Sequence, residues 1–165
     1  MPNKKRVLFL CTGNSARSQM AEGLLREKAG DRFEVFSAGT SPKGLHARSV
    51  EVMNEVGIDI SQQKSKDVAV YANDKFDYVI TVCDRAKQQC PVFPGAEPIH
   101  WGFDDPADAP PDQQLETFRR VRDEIKRRLD PFLRNTEGSN LSPPFSRRGR
   151  RARVGAKREP DRAKP

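Results

Sequence analysis

No apolar run in this chain is long enough to cross a bilayer. Near the N-terminus only Val7 to Leu10 form an apolar stretch, behind a basic start and without a small-residue cleavage site. That is too short for the core of a signal peptide, so a cytoplasmic location with no membrane partner is expected. Cysteine is scarce. The chain has three, an odd number, which argues against a structural disulfide framework in such a compartment. There are two histidines, and the cysteines lack C-x2-C spacing, so a zinc site is disfavoured and neither metal nor cofactor is expected. Hydrophobic residues are 35% and aromatic residues 7%, low enough that part of the chain is expected to carry no core.

Charge is present in excess, and its location matters. The net charge is +7 over 165 residues, but residues 137–165 hold nine Lys/Arg against three Asp/Glu. The remainder, with 21 basic and 20 acidic residues, is close to neutral. Two regions are therefore expected, a folded domain over 1–136 and a disordered basic tail over 137–165. Nucleic acid is an unlikely partner for the domain; the Arg cluster from Arg147 to Arg153 is the one place that invites it.

Hydrophobic patterning predicts strands at 6–10, 33–38, 77–82 and 98–101, with helices at 18–29, 47–56, 83–90 and 113–133 between and after them. A short helix is expected within 66–75, and Pro131 is expected to end or bend the last helix. Alternating strands and helices imply an α/β fold with a parallel sheet covered on both faces.

The central motif is Cys11-x5-Arg17, set between the first strand and the first helix. Such a loop aims successive backbone N–H groups at one point, and the helix dipole adds positive charge there. Thr12, Gly13, Asn14, Ser15, Ala16, Arg17 and Ser18 are the expected oxyanion-binding residues. Gly13 permits an unusual backbone angle, and Asn14 tolerates a left-handed one. Arg17 supplies a forked guanidinium for two anion oxygens. The same field is expected to lower the Cys11 thiol and make it a nucleophile, with Ser15 or Ser18 donating to the sulfur. Displacement at the bound centre expels an oxygen that needs a proton. Asp105, stiffened by Pro106, is the expected acid, in preference to Asp104.

Cys83 follows the third strand at the sheet edge where ligands collect in such folds, the same edge as Cys11. Seven residues on, Cys90 closes a polar helix-compatible segment. Two helical turns rise about 10.5 Å, whereas a disulfide needs Cα atoms within about 7 Å. Either the two thiols never pair, or the segment unwinds when they do. His46 and His100 are taken as structural, and Trp101 is expected at the sheet edge near the loop.

These segments together resemble a known family: residues 11–23 (CTGNSARSQMAEG), Ser37-Ala-Gly, Val56-Gly-Ile-Asp-Ile, Thr81-Val-Cys83 with Cys90-Pro, and His100-Trp-Gly-Phe-Asp-Asp105-Pro. They look like the thioredoxin-coupled arsenate reductases, which share the fold of the low-molecular-weight protein tyrosine phosphatases. The resemblance implies a three-layer, phosphatase I-like architecture with a central, mostly four-stranded parallel sheet. It implies arsenate as substrate and thioredoxin as electron donor, in arsenic detoxification. In the implied sequence Cys11 attacks arsenate while Asp105 protonates the leaving oxygen. Cys83 then attacks Cys11, and Cys90 moves the disulfide to Cys83–Cys90. The alternative is a low-molecular-weight tyrosine phosphatase, although Ala107 and Asp108 stand after Pro106 where a ring-binding aromatic is expected. A further loop cysteine of some members is Ala16 here. Some members also hold potassium through residues matching Asn14, Glu22 and Ser37 plus an Asp. That Asp position falls on Lys66, whose ammonium is expected to take the cation's place against the same carboxylate and remove any need for potassium.

Overall fold

The computed structural model describes residues 4–141. It comprises two compact units, the first ending at Lys126 and the second beginning at Arg127.

The first unit is built on four parallel strands: β1 (Lys5–Cys11), β2 (Phe33–Gly39), β3 (Tyr78–Thr81) and β4 (Glu97–His100), in spatial order β2-β1-β3-β4. Val7, Leu8, Phe9 and Leu10 of β1 are all fully buried. Successive strand residues point to opposite faces, so both faces of the sheet are covered, as a three-layer parallel arrangement requires. Helix α1 (Arg17–Ala29) lies against β1 and β2 and touches α2 (Ala47–Glu55), while the short α3 (Asp84–Gln89) lies against β1 and β3. The predicted helix within 66–75 is a single 3-10 turn, Val68–Tyr71, opened by the Asp67 carboxylate accepting from Ala69 N–H.

Helix α4 (Gln114–Leu141) starts in the first unit, where Phe118, Val121 and Ile125 are buried. Its Arg122 donates to the Val52 carbonyl and to Glu55, tying it to the end of α2. The second unit carries the rest of α4. The helix runs through Pro131 and on to Leu141, so Pro131 does not end it. Proline removes one intrahelical donor, and the turns on either side continue without it. The remaining part of the predicted tail, 142–165, with its Arg cluster, lies outside the described residues. Among the described residues no helix is long and apolar enough to cross a membrane.

Strand register places the chemistry. Leu10 pairs with Ala38 on one side and Thr81 on the other, so Cys11 is level with Gly39 and Val82. Thr12 and Cys83, each one residue further, emerge side by side at the C-terminal edge. Beyond β4, Trp101 N–H donates to Thr81 O and Phe103 N–H to Val82 O, carrying the chain toward the same edge before Asp105. Trp101 is buried there, its ring 6.1 Å from Phe9.

Candidate active site

A cavity of about 960 Å³ opens at this edge. Its walls include Cys11, Thr12, Gly13, Ser15, Ala16 and Arg17 from the loop, and Cys83 and Asp105 from the two neighbouring segments. Asn14 and Ser18 are completely buried beneath it.

The loop is held by Asn14. Its φ of 46° is the one left-handed backbone angle of a non-glycine among the described residues. The unusual angle predicted for Gly13 therefore falls on the next residue, whose polar side chain compensates by bonding locally. The Asn14 amide donates to Ser18 Oγ at 2.8 Å and Ser37 Oγ at 2.9 Å, while its oxygen accepts the Lys66 N–H. Its backbone N–H donates to Cys11 Sγ at 3.1 Å, so that group serves the sulfur. Gly39 is needed beside it, because a Cβ there would stand 2.5 Å from Thr12 O and 2.9 Å from Asn14 N.

Helix α1 begins at Arg17 with no side-chain cap. Among the described residues the N–H groups of Gly13, Ser15, Ala16 and Arg17 have no hydrogen-bond partner. Uncapped amides at a helix start form a concave donor set suited to an anion. Arg17 is fixed by its Nη1, which donates to Phe103 O at 3.0 Å, and by Asp105 at 3.4 Å from Nη2.

Cys11 is 2% exposed. Ser18 Oγ lies 2.8 Å from its sulfur. When Cys11 is a thiolate it can only accept, so the Ser18 hydroxyl is then the donor between them. Burial pushes the Cys11 thiol up, while hydrogen bonds from Ser18, the Arg17 charge and the Asn14 N–H pull it down. The expected lowering is thus corrected for this structure. The lowering groups named from the sequence are present, but complete burial outweighs them.

Cys83 Sγ lies 3.3 Å from Thr12 Oγ1, and as the N-cap of α3 it accepts the Ala86 N–H. Cys90 is elsewhere. It follows α3, donates to the Pro91 carbonyl and lines a second cavity of about 530 Å³ with Val92, Phe93 and Pro98. Burial also pushes the Cys90 thiol up. All three cysteines are free thiols.

Asp105 faces the loop, with its other oxygen accepting the Ala107 N–H at 3.0 Å. Asp104 instead pairs with Arg120 on the exposed side. The cavity is also lined by Lys43 and Arg85, which the sequence reading leaves unassigned, and by His46, which it takes as structural. His46 caps α2 through Nδ1, which accepts the Arg48 N–H, and stacks 4.8 Å from Phe118. Burial lowers its pKa, with Asp105 raising it and Arg48 lowering it further. Nothing in the local sequence marks these positions, since loop placement brings them in. His100 lies outside the cavity, between Thr81 and Asp84.

Burial lowers the Lys66 pKa while the charge of Glu22 raises it, so the ammonium feels that carboxylate without a direct bond to it. The ammonium donates to the Lys64 carbonyl. The buried Glu22 carboxylate is held by Ser37 and Arg26, and Arg26 also donates to Val35 O. Arg26 sits one helical turn after Glu22, the shortest route for a cation to reach it. Among the described residues no cluster of three His, Cys, Asp or Glu side chains is placed to hold a metal.

Residues 6–140 match the model of the low molecular weight phosphotyrosine protein phosphatases. An arsenate reductase of Halalkalibacterium halodurans is 47% identical over 133 residues, 79% of this chain and 96% of that protein. Among solved structures, the thioredoxin-dependent arsenate reductase of Corynebacterium glutamicum superposes with a TM-score of 0.65 at 30% identity, covering 82% of this chain and 63% of that one. The low molecular weight protein tyrosine phosphatase of T. tengcongensis gives 0.68 at 26% identity, covering 80% and 99%.

Proposed function

The chain belongs to the arsenate reductases of the low-molecular-weight phosphotyrosine protein phosphatase family, and from that premise we propose that it reduces arsenate through a relay of its three thiols recharged by thioredoxin in the cytoplasm. The observation that carries this reading is the second sulfur in the oxyanion cavity: Cys83 stands against Thr12, one residue from Cys11.

Arsenate occupies the cup of free amides under Arg17. The Cys11 sulfur attacks arsenic, forming an S–As bond, and Asp105 gives a proton to the oxygen that leaves as water. Cys83 thiolate then attacks the Cys11 sulfur. The S–S bond forms as the S–As bond breaks, and its electron pair stays on arsenic, which departs as arsenite. Two thiols have been oxidised and one arsenic reduced by two electrons. Cys90 thiolate next attacks Cys83, releasing Cys11 as thiolate and leaving Cys83–Cys90. A dithiol of thioredoxin reduces that bond by exchange.

The last transfer requires α3 to unwind. Between Cys83 and Cys90 the helix rises about 10.5 Å, more than the roughly 7 Å a disulfide tolerates. Of its six residues only Ala86 is buried, so unwinding exposes little. A phosphotyrosine substrate is disfavoured because, among the described residues, the cavity lining contains no Phe, Tyr or Trp.

The test is arsenate-dependent NADPH oxidation with thioredoxin and its reductase. Replacing Cys11 or Cys83 with Ser is expected to abolish turnover. Cys90→Ser is expected to give one arsenite per protein and then stop. Continuous turnover of Cys90→Ser at the wild-type rate would remove the relay.

A further inference from the structure

Arginines of the first unit are mostly occupied: exposed Arg120, half-buried Arg48 and Arg119, and buried Arg122 are each held by carboxylates. Two cations at the oxyanion cavity differ. Neither the Lys43 nor the Arg85 side chain has a hydrogen bond or ion pair among the described residues, and both line the cavity. Lys43 lies over the loop, its Cδ 3.3 Å from where a Gly13 Cβ would be, and its N–H is fixed to Gly13 O. Arg85 comes from a different place. It is the second residue of α3, two positions after Cys83.

From this placement we propose that Arg85 is a second guanidinium for the bound oxyanion and that, because α3 carries it, oxyanion affinity is coupled to the redox state of Cys83 and Cys90. The proposal rests on the relay argued above. With α3 folded, Arg85 lines the cavity together with Lys43. When Cys83 and Cys90 pair, the helix between them unwinds and takes Arg85 from the cavity. Lys43, held on the loop by its own backbone bond, stays. The oxidised protein therefore binds oxyanions more weakly than the reduced one. By linkage, a bound oxyanion favours the folded α3 and opposes the Cys83–Cys90 disulfide to the same degree. The coupling keeps phosphate and fresh arsenate out of a protein whose Cys11 has no free Cys83 to resolve the adduct.

The experiment measures binding of inorganic phosphate by calorimetry on the full chain in a Cys11→Ser background, where Cys83 and Cys90 are the only thiols able to pair. Each protein is titrated reduced and again after oxidation with diamide, which accepts the two electrons and two protons of the thiols. In the reduced state Arg85→Gln is expected to weaken phosphate binding about five- to tenfold, with Arg85→Lys between it and the parent. In the oxidised state Arg85→Gln and its parent should bind alike. Lys43→Gln should weaken binding by the same factor in both states. A reduced Arg85→Gln protein that binds phosphate like its parent overturns the Arg85 assignment and leaves the relay standing. An Arg85→Gln effect of equal size in both states overturns the coupling. If peptide mass shows that diamide leaves Cys83 and Cys90 unpaired, the relay itself fails and the coupling with it, while the reduced-state comparison still judges the Arg85 contact.

Discussion

Replacing Ser18 with alanine removes the hydroxyl that lies within hydrogen-bond reach of the Cys11 sulfur. Ser18 Oγ accepts from the Asn14 amide at 2.8 Å and lies 2.8 Å from Cys11 Sγ inside a fully buried cluster, where it is the donor whenever that sulfur is a thiolate. A hydrogen bond to a charged group contributes about 1.5–3 kcal/mol. One pH unit corresponds to about 1.4 kcal/mol. Loss of the donor should thus move the Cys11 titration upward by about one to two pH units, on top of the rise that burial already causes. The assay is the ultraviolet absorbance of the thiolate against pH, in a protein with Cys83 and Cys90 changed to Ser so that one sulfur titrates. Alanine also deprives the Asn14 amide of an acceptor, at about 1–3 kcal/mol, which a urea transition will register. Ser18→Thr restores the hydroxyl and should titrate close to wild type. A Ser18→Ala midpoint that stays in place or moves down, with Ser18→Thr folded and normal, would refute the hydrogen-bond account of the nucleophile.

His46 gives a pH dependence of stability. Burial holds its folded-state pKa below the ordinary 6.5, so between the two values the unfolded chain binds more protons and stability falls as pH drops through that window. Thermal unfolding between pH 7 and 5 should show this loss, and His46→Asn, which keeps an acceptor for the Arg48 N–H, should flatten it. Gly39→Ala should remove most activity and lower stability by about 1–3 kcal/mol, because the new methyl meets the Thr12 and Asn14 backbone. A Gly39→Ala protein with wild-type turnover would show that the loop has room to move.

The strands and the nucleophile loop were legible because the information is local. The apolar run before Cys11 admits little but a buried strand, and Arg17 six residues later fits only the start of the following helix. The parallel register followed, and with it the meeting of Cys11 and Cys83 at one edge. Of the two adjacent carboxylates, Asp105 lies against Arg17 of the loop and Asp104 against Arg120. What escaped depends on long-range placement. Arg26 rather than Lys66 holds Glu22 because Val35 of β2 fixes the guanidinium, which no spacing within 61–67 reveals. The rise of the Cys11 thiol reflects packing from several elements. Lys43, His46 and Arg85 enter the cavity through loop paths that periodicity does not describe. Pro131 lies within α4 and does not end it, because the apolar stripe continues on both sides of it.

Six residues separate Cys83 from Cys90, and α3 consists of those six. Thiols two or three positions apart would pair at the first encounter with an oxidant, emptying the store of electrons before any substrate arrived. A much longer separation would demand melting an element rich in core side chains. A single small helix with one buried methyl lies between these extremes. In the proposed relay, such a helix holds the two thiols apart at rest and gives up little buried surface when it melts.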